Sequence, residues 1–166
     1  MKNGKRGLAM AGKKKSRVPV SASASKTMAT GYVLDDAFLG YELEPGHPEC
    51  PQRLAAIQAK LAGTGLDKRL VHLIPLADPL PSISAIHTKS HISSIRKIDR
   101  IGAIAELAAG GALSAVKAVC EGSVRNAFCA LRPPGHHARN TGQEEGFCFY
   151  NNVAIAARYA QNATLL

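Results

Sequence analysis

No two of the four cysteines, Cys50, Cys120, Cys129 and Cys148, stand in a C-x-x-C spacing. That absence argues against a zinc knuckle and a disulfide scaffold, and it fits a reducing, cytoplasmic compartment. Each cysteine then reads as a small buried hydrophobe, and only Cys148 lies beside candidate chemistry. No apolar run reads as long enough to span a bilayer, and no apolar core of roughly 7 to 15 residues follows the basic start, so neither a membrane span nor a secretory signal is expected. Acids are missing from residues 1–27, which hold eight Lys and Arg. The same stretch lacks the apolar periodicity needed to pack and reads as a disordered tail, with an amphipathic transit peptide as an alternative. It also has no aromatic residue between its charges, so any nucleic-acid binding through it should be weak, salt-sensitive and nonspecific.

The formal charge of +9 is therefore concentrated at one end, because residues 28–166 hold 13 basic and 12 acidic side chains. With 46% apolar residues the 166-residue chain can bury one core, and a single folded unit over 28–166 is expected. Tyr32 to Asp35 reads as a strand entering a polar loop that runs through Glu44 to Cys50. Pro51 suits a first helical position, Leu54, Ile57 and Leu61 follow at helical spacing, and Gly63 reads as the stop of a helix over 51–62. Leu70 to Ile74 is strand-like between charged and proline boundaries. A second helix is expected from Thr88 through Ile92, Ile95 and Ile98, and a third from Gly102 to Glu121 with Gly122 as its stop. Gly110 and Gly111 inside the third cost roughly 1 kcal/mol each relative to alanine, which close packing against a neighbour would offset. Val124 to Leu131 reads as ending in a buried strand, and Asn152 to Gln161 as a helix capped by Asn151 or Asn152. Strands alternating with helices predict an α/β fold with parallel strands.

The chemistry concentrates between Arg132 and Asn152. Pro133 and Pro134 fix their own backbone, Gly135 permits a sharp turn, and His136 and His137 leave a strand where ligands collect in α/β sheets. Adjacent imidazoles are not both cheaply protonated, so one is expected to stay neutral near pH 7 and to accept a proton. Gly146 lets the backbone approach a ligand, and Phe147 can wall a channel. Glu144 and Glu145 read as solvated loop acids.

These residues, with Gly46 to Leu54, Ile86 to Ile92, Gly110 to Leu113 and Asn126 to Ala138, resemble the zinc-dependent histone deacetylase and acetylpolyamine amidohydrolase family, in its bacterial or class II form. The resemblance covers about residues 31–162 and implies the N-terminal part of a three-layer arginase/deacetylase-like fold. It implies hydrolysis of acetylated lysine or an acetylated amine by a zinc-bound water. His137 would be the general base and later the acid, His136 its electrostatic partner. Gly146 and Phe147 would line the acyl channel, and His47 and Pro48 would belong to its entrance. The family's zinc ligands and its carbonyl-polarising tyrosine fall downstream of the Asn151-Asn152 helix, where only Ala163 to Leu166 remain, so no metal ligand is assigned. Relatives carry a further segment where Asp99 to Gly102 lies here, and a histidine where Tyr41 stands. The sequence thus supports an enzyme part completed elsewhere, by a missing C-terminal half or an oligomer partner. The alternative is an inactive fragment that serves as a binding module or is a decaying gene product.

Overall fold

A computed structural model describes residues 29–141 and 145–164. The basic stretch 1–27 and Glu144 lie outside the described residues. The elements run β1 (Thr30–Val33), α1 (Pro51–Gly63), β2 (Val71–His72), α2 (Leu80–Ser84), α3 (Lys89–Ile95), α4 (Asp99–Cys120), β3 (Asn126–Cys129) and α5 (Asn152–Thr164). The three strands are parallel in the order β2-β1-β3, with Gly31 opposite Val71 on one side and Ala127 on the other.

Strand alternation sorts the layers. Phe128 borders the same groove as Ala56, Ile57 and Leu61 of α1, whereas Ala127 and Cys129 border another with α4 and α5. Helices therefore cover both faces, the three-layer α/β arrangement expected. Parallel strands require this, because βαβ crossovers place helices on the faces. Two apolar clusters form the core, one around Val33, Phe38, Leu54 and Ala108, the other around Ile83, Ile95, Leu113 and Ile155.

The glycine pair in α4 shows why this helix sits where it does. A Cβ on Gly110 would stand 2.5 Å from the Leu76 carbonyl oxygen, and one on Gly111 would stand 2.8 Å from Leu131 Cδ2 and 2.9 Å from Val33 Cγ1. The Leu76 amide also donates to the Gly110 carbonyl at 3.0 Å. Close backbone approach thus offsets the low helix propensity of both glycines.

Four expectations need correction. α4 is long and apolar enough to cross a membrane by length and composition alone. Its apolar residues are spent on packing, with Ala105, Ala109 and Leu113 buried in one cluster and Ala108 and Ala115 in the other. Second, Gly63 lies inside α1, and the left-handed residue that ends the helix is Gly65 at φ 67°. The amides of Gly65 and Leu66 return to the carbonyls of Ala62 and Leu61, the hydrogen-bond pattern of a Schellman stop. Third, α3 ends at Ile95, while Ile98 caps α4, which starts at Asp99, three residues before its expected start. The two helices abut so tightly that a Cβ on Gly102 would stand 2.6 Å from the Ile95 carbonyl oxygen. Fourth, β3 is half exposed, not buried, with Phe128 47% accessible. β3 is an edge strand with β1 as its neighbour, and among the described residues no strand lies on its other side.

Candidate active site

The strand order creates the site. From β1 the chain passes to β2 on one side of the sheet, while β3 lies on the other, so the loops leaving β1 and β3 diverge. That divergence opens a crevice at the carboxyl ends of the two strands, the topological switch point of an α/β sheet. The loop after β1 carries His47 and Pro48, and the loop after β3 carries His136 and His137.

The geometry of the second loop follows from its glycines and asparagines. The Arg132–Pro133 bond is cis. Gly135 packs so closely on the Tyr150 carbonyl oxygen and the Asn152 amide that any side chain would collide with the backbone. Asn152 donates from Nδ2 to the Pro133 carbonyl at 3.4 Å, and Asn151 from Nδ2 to the Ala138 carbonyl at 3.2 Å. Asn151 also caps α5, its Oδ1 accepting from the Ala154 amide at 3.0 Å. Both ends of the loop are thus fastened to the start of the same helix.

Within it, the His136 and His137 rings lie 4.2 Å apart at 48°. Gly146 and Phe147 form the centre of a tight turn closed by the Cys148 amide on the Glu145 carbonyl at 3.1 Å. Both have positive φ, 55° and 51°. For a bulky residue such as Phe147 that conformation is an outlier. The Phe147 ring meets His47 edge-on at 4.9 Å and 87°, and a Cβ on Gly146 would stand 3.1 Å from His137 Cδ2. Four of the six expected residues, His137, Gly146, Phe147 and His47, thereby form one contiguous chain of contacts, with the His136 ring tilted against His137 at its end. Pro48 is exposed beside them.

Both imidazoles of the pair are exposed, and among the described residues no side chain hydrogen-bonds to either ring. Nearby carboxylates are engaged elsewhere. Glu145 pairs with Arg139 at 2.6 Å and Glu49 with Arg132 at 2.6 Å. Burial pushes the Cys148 thiol up, against the opposing pull of the His137, His136 and Ala138 backbone amides, so it stays a neutral wall residue.

Two constellations escaped the sequence reading. Arg132 and Glu49 are 1% and 2% exposed, and Tyr41 donates to Glu49 Oε2 at 3.0 Å. The Tyr41 ring also lies under the Arg132 guanidinium at 4.1 Å. Burial and the Glu49 carboxylate hold the Tyr41 phenol well above its usual range. The other is the stacked pair His87 and His91, 4.7 Å apart, which accepts from the Asn151 amide at 2.9 Å and bonds the Phe149 carbonyl at 2.7 Å. The i, i+4 spacing of these histidines was the one available signal. Tyr150 is wedged against both rings and its hydroxyl is pushed up to about 12, chiefly by burial.

The family model described as "Histone deacetylase domain" matches residues 98–165. A probable deacetylase of Archaeoglobus fulgidus is 34% identical over 148 residues, spanning 80% of this chain and 41% of that protein. The polyamine deacetylase HDAC10 of Homo sapiens is 31% identical over 159 residues, spanning 81% of this chain and 24% of that one. The solved HDA15 HD domain superposes with a TM-score of 0.75 at 30% identity, covering 82% of this chain and 44% of the other. The chain belongs to the histone deacetylase family. It spans less than half the length of these relatives. Among the described residues no group of three or more His, Cys, Asp or Glu could hold a metal ion. The described residues therefore do not fit the metal that the family implies.

Proposed function

We propose that this chain supplies the proton-transfer loop and the acyl-channel wall of a zinc-dependent deacetylase acting on acetylated lysine or an acetylated amine. The observation that carries the reading is the contact chain His137–Gly146–Phe147–His47 at the switch-point crevice. An extended acyl-lysine arm fits a narrow wall made of an aromatic ring and a glycine, with an imidazole at its inner end. In this reading His137 takes a proton from the attacking water and returns it to the leaving amine, and His136 supports the charge that appears. Phe147 and His47 exclude water from the arm. The described residues offer no zinc ligand set, so the isolated 166 residues should not turn over.

The test measures zinc content and deacetylation of an acetyl-lysine peptide, with His137→Ala as the control. Turnover that vanishes in His137→Ala, seen only when the chain is completed by further polypeptide, supports the proposal. Stoichiometric zinc with His137-dependent turnover by the chain alone would overturn the view that it is inactive in isolation. Cytoplasmic placement belongs to the same proposal and is supported by four free thiols.

A further inference from the structure

His87 and Thr88, on the turn from α2 into α3, hold both ends of the stretch that leaves His137 and returns to α5. The Thr88 amide donates to the Asn140 carbonyl at 3.0 Å, and His87 Nε2 accepts from the Asn151 amide at 2.9 Å. Asn151 in turn donates to the Ala138 carbonyl and Asn152 to the Pro133 carbonyl, one on each side of the His136-His137 pair. His91, one turn along α3, bonds the Phe149 carbonyl at 2.7 Å.

These bonds assign the ring protons. An imidazole nitrogen that accepts from an N–H carries no proton of its own, so His87 is the neutral ring with its proton on Nδ1. The surroundings agree. The ring is buried, the titratable rings against it are His91 of α3 and Tyr150 of the segment before α5, and burial and His91 both favour the uncharged form. The Arg139 backbone acts the other way, more weakly. His91 has the opposite assignment, because a carbonyl only accepts and its Nε2 must therefore carry a proton. Two stacked imidazoles, 4.7 Å apart at 17°, thus offer one acceptor and one donor to the backbone of Phe149 to Asn151.

We propose that His87 is a positioning residue for the His136-His137 pair, its unprotonated Nε2 holding the Asn151 amide and so, through Asn151 and Asn152, setting where the loop of the two imidazoles stands. This rests on the reading of that pair as the proton-transfer groups of a deacetylase. A histidine that only filled space could be replaced by any ring of similar size. The bond to Asn151 asks for more, a lone pair at one point on the ring. Phenylalanine fills the same space without a lone pair, and glutamine brings an acceptor oxygen to about the same reach without a ring. The two substitutions therefore separate packing from acceptance.

The test is NMR on the full 166-residue chain. Long-range proton–nitrogen spectra of the wild type at pH 7 should show His87 as the Nδ1–H tautomer, and a proton on Nε2 would overturn the proposal before any variant is made. In His87→Phe the Asn151 amide should exchange with solvent roughly tenfold faster, as loss of one hydrogen bond implies. The titration curves of the His136 and His137 rings should shift with it, while that of His72, on β2, stays in place. His87→Gln should bring both readouts back toward wild type. Should His87→Phe not fold, as urea unfolding reports, His87→Asn, polar but too short to reach the amide, takes its place in the comparison. Titrations of His136 and His137 that overlay the wild type despite faster Asn151 exchange would overturn the proposal, as would a glutamine variant that behaves like phenylalanine. These readouts use no acetylated substrate. Failure of the deacetylase reading would leave His87 aiming an imidazole pair of other use, and failure here would leave the His137→Ala turnover test as it stands.

Discussion

Arg132 lays its guanidinium along the Glu49 carboxylate, Nε to Oε1 at 2.6 Å and Nη2 to Oε2 at 2.9 Å, and so joins the loop of His47 to the loop of His136. The same guanidinium donates from Nη1 to the Phe38 carbonyl at 2.7 Å. Glu49 sits two residues after His47, and Arg132 directly precedes the cis bond to Pro133. The register of the two crevice walls therefore depends on one buried ion pair.

Removing one partner leaves the other charge buried and unpaired. Arg132→Met or Glu49→Gln should each cost about 3 to 5 kcal/mol in urea unfolding. Replacing both with apolar residues should cost less than the sum of the single changes, and a double-mutant cycle measures the difference. Additive losses would mean that the two side chains act independently.

His87 gives the chain an acid sensitivity. Burial, and then the neighbouring His91, push its pKa down to about 4 from an ordinary value of 6.5. The unfolded chain binds the proton that the folded one refuses, so stability is full above pH 6.5 and falls as the pH drops from there toward 4. The loss should reach about 3 kcal/mol. His87→Gln should flatten the slope of urea midpoint against pH between 7 and 5, and an unchanged slope would assign the acid sensitivity to other groups.

The two glycines of α4 should respond differently to alanine. At Gly110 the obstacle is the Leu76 backbone oxygen, which has no room to retreat, so Gly110→Ala should destabilise by about 1 to 3 kcal/mol despite better helix propensity. At Gly111 the obstacles are the ends of the Leu131 and Val33 side chains, and the loss should be smaller. Gly63→Ala meets nothing within 4 Å and should gain up to about 1 kcal/mol. Thermal or urea unfolding of the three variants would show whether this order holds.

Gly146→Ala combines a left-handed backbone position with a Cβ 3.1 Å from His137 Cδ2. The ring must shift or the turn must open. The His137 imidazole resonances should move in an NMR spectrum while those of His72, on β2, stay in place. Movement of neither would show that the turn accommodates a side chain freely.

Elements whose signals are local were legible in the sequence. Pro51 did announce the start of α1, Asn151 caps α5 as its side chain suggests, and Gly122 follows α4 with φ 73°. Gly63 misled because Gly65 lies two positions on, and only the hydrogen bonds of Leu66 and Gly65 tell which glycine turns the chain. The short α2 carries too few residues for a periodicity to emerge. Within the site, His136, His137, Gly146 and Phe147 stand close in sequence and could be read together. The meeting of Phe147 with His47 depends on the order β2-β1-β3, and the pairing of Arg132 with Glu49 spans 83 positions. No local pattern encodes either. The half-exposure of β3 was illegible for another reason: its residues are those of a buried strand, and burial depends on what stands beside it.

The fastening of the His136-His137 loop to the start of α5 makes the helix and the two imidazoles one mechanical piece. Gly135 bears on the Tyr150 carbonyl, Asn152 grips Pro133, and Asn151 grips Ala138. α5 cannot roll on its bed without tilting both rings. Whatever presses on the exposed Val153 from outside therefore sets the aim of the His136 and His137 rings, much as a gunsight is zeroed from the stock.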